Sequence, residues 1–273
     1  MFTKDDYRLV RCRSCGLVRV ANPPPPEHLE RFYSLEAGYG VEAIEKTASD
    51  ARLRRLAAHH FALVAKHRAP GRLLDVGCGA GYFVAEALRG GWDASGIDVN
   101  AGLVETVRRR DGLPLAEGRV EDIDLPDGAL DAATLWDSLE HVEDPMATLR
   151  ATRRLVRPGG LLALSTPNID GLYPVLSYPV GRATGYWTHP EPPAHLFQFS
   201  VSTLGTMLEQ AGFRVERVVH TRSPVKYTLA PGGLRLLSRH PLRLAYAAAF
   251  LPALLLGPHV RRGDEISVVA TAV

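Results

Sequence analysis

The chain has 273 residues, 46% of them hydrophobic and 23% charged, the balance of a folded globular protein rather than an intrinsically disordered one. A formal net charge of +2, with arginines scattered along the chain, excludes the concentrated basic face that phosphate-backbone binding needs, so no nucleic-acid partner is expected. Three cysteines make no disulfide framework, and no basic stretch followed by an apolar run opens the chain, so the expectation is a cytoplasmic protein without a secretory signal.

Residues 1–33 read as an appendage: strand-like Tyr7–Val10, the pair Cys12 and Cys15, strand-like Leu17–Val20, then Pro23-Pro24-Pro25-Pro26. Four consecutive prolines fit neither a helix nor a central strand and act as a stiff extended connector. Cys12 and Cys15 have the spacing of a zinc knuckle, with Gly16 suited to its tight turn, but structural zinc takes four ligands. With two cysteines there and Cys78 elsewhere, no metal is expected.

Val41–His67 carries apolar residues at helical spacing and predicts a helix that Pro70-Gly71 ends. Beyond it strands and helices alternate, and 40–273 reads as one domain. Strands are predicted at 72–77, 93–99, 114–117, 131–136, 160–166, 214–220 and 265–272, and helices at 81–90, 101–110, 145–155 and 202–211. The strands are apolar runs without polar alternation, which suits a parallel sheet covered on both faces, and the order predicts an α/β fold with a doubly wound sheet. The stretch 222–263 reads as an insertion with its own helix. Its apolar part from Pro241 is broken by Arg243 and Pro252, so a buried or lid-like helix is expected there, without stable membrane insertion, and an interfacial membrane anchor is the weaker alternative.

The first strand runs into Gly77-Cys78-Gly79-Ala80-Gly81. A strand-to-helix turn without side chains lets a ligand approach the backbone, and the helix N-terminus supplies free amides. The spacing is G-x-G-x-G, because position 82 is Tyr, whereas the dinucleotide fingerprint is G-x-G-x-x-G. Asp75 lies in an otherwise apolar strand, where a carboxylate must be paired, and it can take a charged amine of the kind S-adenosylmethionine has and NAD lacks. Asp98, ending the next strand, is placed to accept both hydroxyls of a ribose. A nicotinamide-dependent oxidoreductase is therefore the weaker alternative.

Asp75-Val76-Gly77-Cys78-Gly79-Ala80-Gly81 with Asp98 resembles motifs I and II of the class I S-adenosylmethionine-dependent methyltransferases. Leu125–Asp131, Trp136-Asp137-Ser138-Leu139-Glu140-His141-Val142, Arg157-Pro158-Gly159-Gly160 and Glu209–Phe213 match the same family in order. Within it the chain is similar to small-molecule methyltransferases of the ubiquinone-pathway O-methyltransferase group. The resemblance implies a Rossmann-like seven-stranded sheet with the last strand antiparallel, and S-adenosyl-L-methionine as cofactor. It places the methionine end over Gly77–Gly81, ribose on Asp98, and adenine between Val99 and the Val120–Ile123 turn, with Trp136 and Asp137 as further cofactor-binding residues. Where relatives carry Gly-Asp this chain has Gly118-Arg119, which leaves Glu121 or Asp122 for the adenine amine. Relatives also often begin with a complete zinc ribbon, and Cys15-Gly16-Leu17-Val18 with Asn22-Pro23 match only its second half, either because the first half was lost or because the start lies upstream.

The reaction implied is in-line displacement at the sulfonium methyl by a small-molecule acceptor, at oxygen in the group it resembles. The residues themselves do not distinguish oxygen, nitrogen or carbon. His141, after the fourth strand, is the candidate base, with a capping histidine as the alternative. In some relatives two acids and a histidine at this place bind Mg²⁺, and Asp137, Glu140 and His141 match that spacing. His189 and His195 flank Pro190–Ala194 and are candidate acceptor contacts, with Tyr33, Tyr39, Tyr173, Tyr178, Tyr186 and Trp187 as further wall residues. A silent cofactor-binding protein on the same fold is the remaining alternative.

Overall fold

The computed structural model describes residues 2–25, 49–229 and 240–273. In chain order, β1 (Phe2–Lys4), β2 (Tyr7–Arg11) and β3 (Val18–Val20) come first, then α1 (Ser49–His67), β4 (Arg72–Val76), α2 (Tyr82–Arg89), β5 (Asp93–Asp98), α3 (Ala101–Asp111), β6 (Leu115–Glu117) and β7 (Leu130–Trp136). They are followed by α4 (Pro145–Leu155), β8 (Val156–Pro167), α5 (Leu172–Thr184), β9 (Phe197–Gln198), α6 (Val201–Gln210), β10 (Phe213–Thr221), α7 (Val225–Thr228), α8 (Pro241–Leu256) and β11 (Glu265–Ala272). Residues 41–48 of the predicted first helix, with Tyr33 and Tyr39, lie outside the described residues.

Among the described residues one sheet has seven strands in the order β10-β11-β8-β7-β4-β5-β6, with the last strand antiparallel, so the predicted Rossmann-like fold is present. β4 pairs parallel with β5 on one side and β7 on the other. The chain thus winds outward from β4 to β6 and returns to β7, which makes the β4–β7 boundary the switch point where such sheets open a ligand crevice.

The described residues divide into two compact units. One comprises 24–164, 207–216 and 269–273; its core gathers Leu73, Phe83, Val84, Leu103, Val104 and Val107 beneath α1, α2 and α3. Each such fully buried side chain stabilises the fold by about 1.5–3 kcal/mol. The helices start and stop on local signals. Asn100 caps α3 by accepting from Leu103 N at 3.0 Å, and Gly112 closes it in the left-handed conformation, while Asp144 caps α4 ahead of Pro145.

The other unit comprises 1–23, 165–206 and 217–268, so the N-terminal segment and the 222–263 stretch fall in the same unit. Its small antiparallel sheet runs β1-β2-β3-β9 over a cluster of Phe2, Leu9, Val18, Ile169 and Trp187. Its second cluster holds α5 against α8 through Tyr173, Tyr246, Ala247, Ala253 and Leu254. α8 is the helix expected in the insertion, but not a buried one: Tyr246, Ala247, Ala253 and Leu254 are buried, because one stripe packs while the rest faces outward. α5 was not expected at all.

Candidate functional site

In β4 the burial demanded by a sheet covered on both faces encloses an acid, since Asp75 is 2% exposed. Burial pushes its carboxyl up to about 7; the Thr134 hydroxyl, donating to Oδ1 at 2.7 Å, lowers it, and the neighbouring Asp98 raises it. The register explains the contact, because Asp75 pairs with Thr134 across β4 and β7. Burial thus favours the neutral acid, and a cation beside it would favour the carboxylate.

The chain then turns through Gly77 and Gly79, at φ +73° and +50°. The two glycines do different things. A Cβ on Gly77 would lie 2.5 Å from Ser138 Oγ, so this glycine lets the turn close against the turn after β7. A Cβ on Gly79 would meet nothing within 4 Å, which leaves open space over the backbone. Cys78 is buried and its thiol pushed up, first by burial; a Cβ on Gly96 would lie 2.7 Å from its Cβ, so Cys78 fills the gap over β5. Gly81 begins α2.

Asp98 ends β5 and closes this turn from the other side. It accepts from Gly79 N at 2.8 Å on Oδ2 and from Asn100 N at 2.9 Å on Oδ1. Two amides orient the carboxylate, and each oxygen keeps a lone pair for a further donor. Val99 beside it is 57% exposed, an apolar surface at the mouth of the crevice. Val120 is fully buried, so the side chains its turn presents to solvent are those of Glu121 and Asp122. The Glu121 carboxylate accepts from the Thr148 hydroxyl at 2.6 Å, and Arg119 lies 3.9 Å from Glu143.

After β7, Asp137 takes a left-handed φ of 48° and is exposed, whereas Glu140 is buried, so the two carboxyls of the matched segment face different surroundings. His141 is half-buried, its amide donating to Ser138 O at 3.1 Å. Trp136 stacks on His60 at 3.9 Å between ring centroids and leans on Phe83 at 5.3 Å; its ring is engaged in packing. His60, which the sequence did not single out, is lowered to about 3, chiefly by burial.

The structure therefore brings together Asp75, Gly77, Cys78, Gly79, Asp98 and Val99, and links them through Ser138 to the turn carrying Asp137 and His141. A cavity of about 580 Å³ lined by Arg54, Tyr82, Glu86, Arg89 and Leu113 reaches this turn only at Ala80 and Gly81. It is a groove beside α1 and α2, and Asp75 and Asp98 do not line it.

In the other unit His189 is buried and lowered to about 3, first by burial and then by the charge of Lys4. Its Nε2 has no hydrogen-bond partner among the described residues. His195 is half-buried, and its amide donates to Glu191 O at 2.9 Å. Tyr173 shares its hydroxyl with Thr188 and with Tyr246 at 3.1 Å, and Trp187 Nε1 donates to Ser177 Oγ at 3.0 Å. Tyr178 stacks edge-on against Trp187 at 5.0 Å. The aromatic residues read as a wall are thus largely the packing of α5. Cys12 and Cys15 are exposed; Gly16 N donates to Cys12 O at 3.1 Å, and the Ser14 hydroxyl with the Cys15 and Ser14 amides holds the Cys12 thiol down at about 6.

Comparison with known proteins gives concordant matches. A family described as a methyltransferase domain matches residues 48–218. An uncharacterized protein in transposon TN4556 of Streptomyces fradiae is 31% identical over 245 residues, covering 86% of this chain and 65% of that protein. A ubiquinone biosynthesis O-methyltransferase of Xanthomonas oryzae is 43% identical over 104 residues, covering 36% of this chain and 43% of that enzyme. A SAM-dependent methyltransferase from Archaeoglobus fulgidus has a similar fold, with a TM-score of 0.55 at 19% identity over 80% of this chain and 94% of that one. The matched stretches thus span less than two thirds of either curated relative.

Proposed function

This chain belongs to the class I S-adenosylmethionine-dependent methyltransferases, and on that premise we propose that it methylates a small-molecule acceptor at oxygen by in-line displacement. The observation that carries the reading is the open backbone over Gly79 beside a carboxylate, Asp98, that the same turn orients. The residues present fit the cofactor. Asp75 would balance the ammonium of the methionine end, Asp98 would accept the ribose hydroxyls, and Val99 would lie against the adenine. Glu121, one oxygen of which accepts from Thr148, or Asp122 would take the adenine amine.

S-adenosylmethionine, when bound, supplies an activated methyl on a sulfonium leaving group. The chain's own contribution is alignment and proton handling. Fixing donor and acceptor in line is worth on the order of 7–11 kcal/mol. His141 then takes the acceptor hydroxyl proton as the methyl arrives, a contribution of roughly 10²–10⁴-fold. Support for oxygen as the acceptor atom comes from the similarity to the ubiquinone biosynthesis O-methyltransferase.

The test is methyl transfer to hydroxylated aromatic acceptors, followed as S-adenosylhomocysteine release. His141→Ala is expected to lose at least tenfold in kcat while its affinity for S-adenosylhomocysteine stays within about twofold. Unchanged kcat in that variant removes His141 as the base, and transfer only to amines overturns the oxygen assignment.

A further inference from the structure

α8 carries a continuous outward stripe of Leu242, Ala245, Ala249, Pro252 and Leu256, extended by Val260 in the turn after it, at spacings of three, four and seven residues and without a charge among them. Leu242 is 85% exposed, and Leu256 and Val260 are each 54% exposed. α5, packed against α8, adds exposed Val175, Leu176 and Val180 on its own outer face. The inward stripe of α8 is committed to the core through Tyr246, Ala247, Ala253 and Leu254, and the Tyr246 hydroxyl is bonded to that of Tyr173. The outward face is therefore held in place by packing rather than by a free helix turning over. Apolar surface presented in this way by a folded unit marks an interaction site.

Cations outnumber acids in the sequence that carries it. Residues 217–263 contain no Asp or Glu and carry eight Lys and Arg residues, and α5 contributes Arg182 and no acid. Arg261 and Arg262 stand exposed just beyond α8, and Arg243 near its start lies over the Tyr186 ring at 5.2 Å. An apolar helix face flanked by Arg243, Arg261 and Arg262, with Asp170 paired to Arg11 at 3.7 Å, is the pattern of a segment lying in a membrane interface, with anionic headgroups meeting the cations. A second copy would fit less well, because a two-fold contact sets the same cation-rich surface against itself and opposes like charges. Pro241–Val260 is long and apolar enough to cross a bilayer by length and composition. Its inward stripe is already used in the protein core, which leaves it one face for lipid.

We propose that the outer face of α8 and α5 docks this protein on the surface of an anionic lipid bilayer, with the stripe from Leu242 to Val260 in the headgroup boundary and the flanking arginines on the lipid phosphates. The docking does not depend on which acceptor is methylated.

The experiment is co-sedimentation of the full chain with phosphatidylcholine vesicles, with and without phosphatidylglycerol at roughly physiological salt. Expected are pelleting on the anionic vesicles at least about tenfold stronger than on neutral ones, weakening in high salt, and loss in the double variant Leu242→Glu, Leu256→Glu. Both positions are exposed, and an unchanged circular-dichroism melt confirms that the variant is folded. No pelleting, equal pelleting on both vesicles, or undiminished pelleting of the folded variant each overturns the proposal. So does a dimer in solution that the double variant dissociates while vesicles bind neither form, which would assign the face to a second copy.

Discussion

At the level of single residues the most informative side chain is Asp75, because its environment makes two opposite demands. Burial favours the neutral acid and holds its carboxyl near 7, against an ordinary 3.8. A bound ammonium favours the carboxylate. The sign follows directly. The folded value is raised, so the stability Asp75 contributes is fully present below the ordinary value and is lost as the pH rises through about 7 in the ligand-free protein. Cofactor binding runs the other way, since below pH 7 a proton must leave before the cation is paired. Affinity for S-adenosylhomocysteine is expected to rise about tenfold from pH 6 to pH 8 and then level off, with proton uptake by buffer seen calorimetrically. Asp75→Asn should flatten that profile; a wild-type profile already flat across this range would show that the ammonium is held elsewhere. Asp98→Ala, which removes the acceptor that two amides orient, is expected to weaken S-adenosylhomocysteine at least tenfold by isothermal titration.

Among the elements, the glycine turn and the helix caps carry the structural predictions. Gly77→Ala puts a methyl group 2.5 Å from Ser138 Oγ at a left-handed φ, so a loss of about 1–3 kcal/mol in urea unfolding is expected, with only partial recovery when Ser138→Gly is added. Asp144→Ala removes the acceptor for Met146 N and Ala147 N and should cost about 1 kcal/mol by the same measurement. These elements were legible because their signals are local. The strand over 93–99 is found at Asp93–Asp98, and α4 is found at its expected bounds. Asp75, the glycines and Asp98 were legible because each is a polar or side-chain-free residue where an apolar one is the default. Thr134 and Ser138 had no such mark: their roles come from strand register and from the close approach of two turns. α5 escaped notice because Pro174, Pro179 and Gly181 speak against a helix locally, and its formation rests on Tyr173 and Ser177 packing in the core. The exposure of α8 escaped notice because an apolar run reads the same whether a core or another surface covers it.

For the whole molecule the fold and the family agree, while the acceptor belongs to the proposed reading, since this chain spans 65% and 43% of the two curated relatives compared with it. The seven-stranded sheet with an antiparallel last strand opens its crevice where β4 meets β7, and the acids and the open glycine lie at that end. What the architecture states most strongly is the choice of cofactor: a buried acid and G-x-G-x-G spacing suit a charged sulfonium amino acid rather than a dinucleotide. The direct measurement is isothermal titration of the protein with S-adenosylhomocysteine and, separately, with NAD. The account predicts saturable 1:1 binding of S-adenosylhomocysteine and none of NAD; binding of NAD without S-adenosylhomocysteine would contradict it.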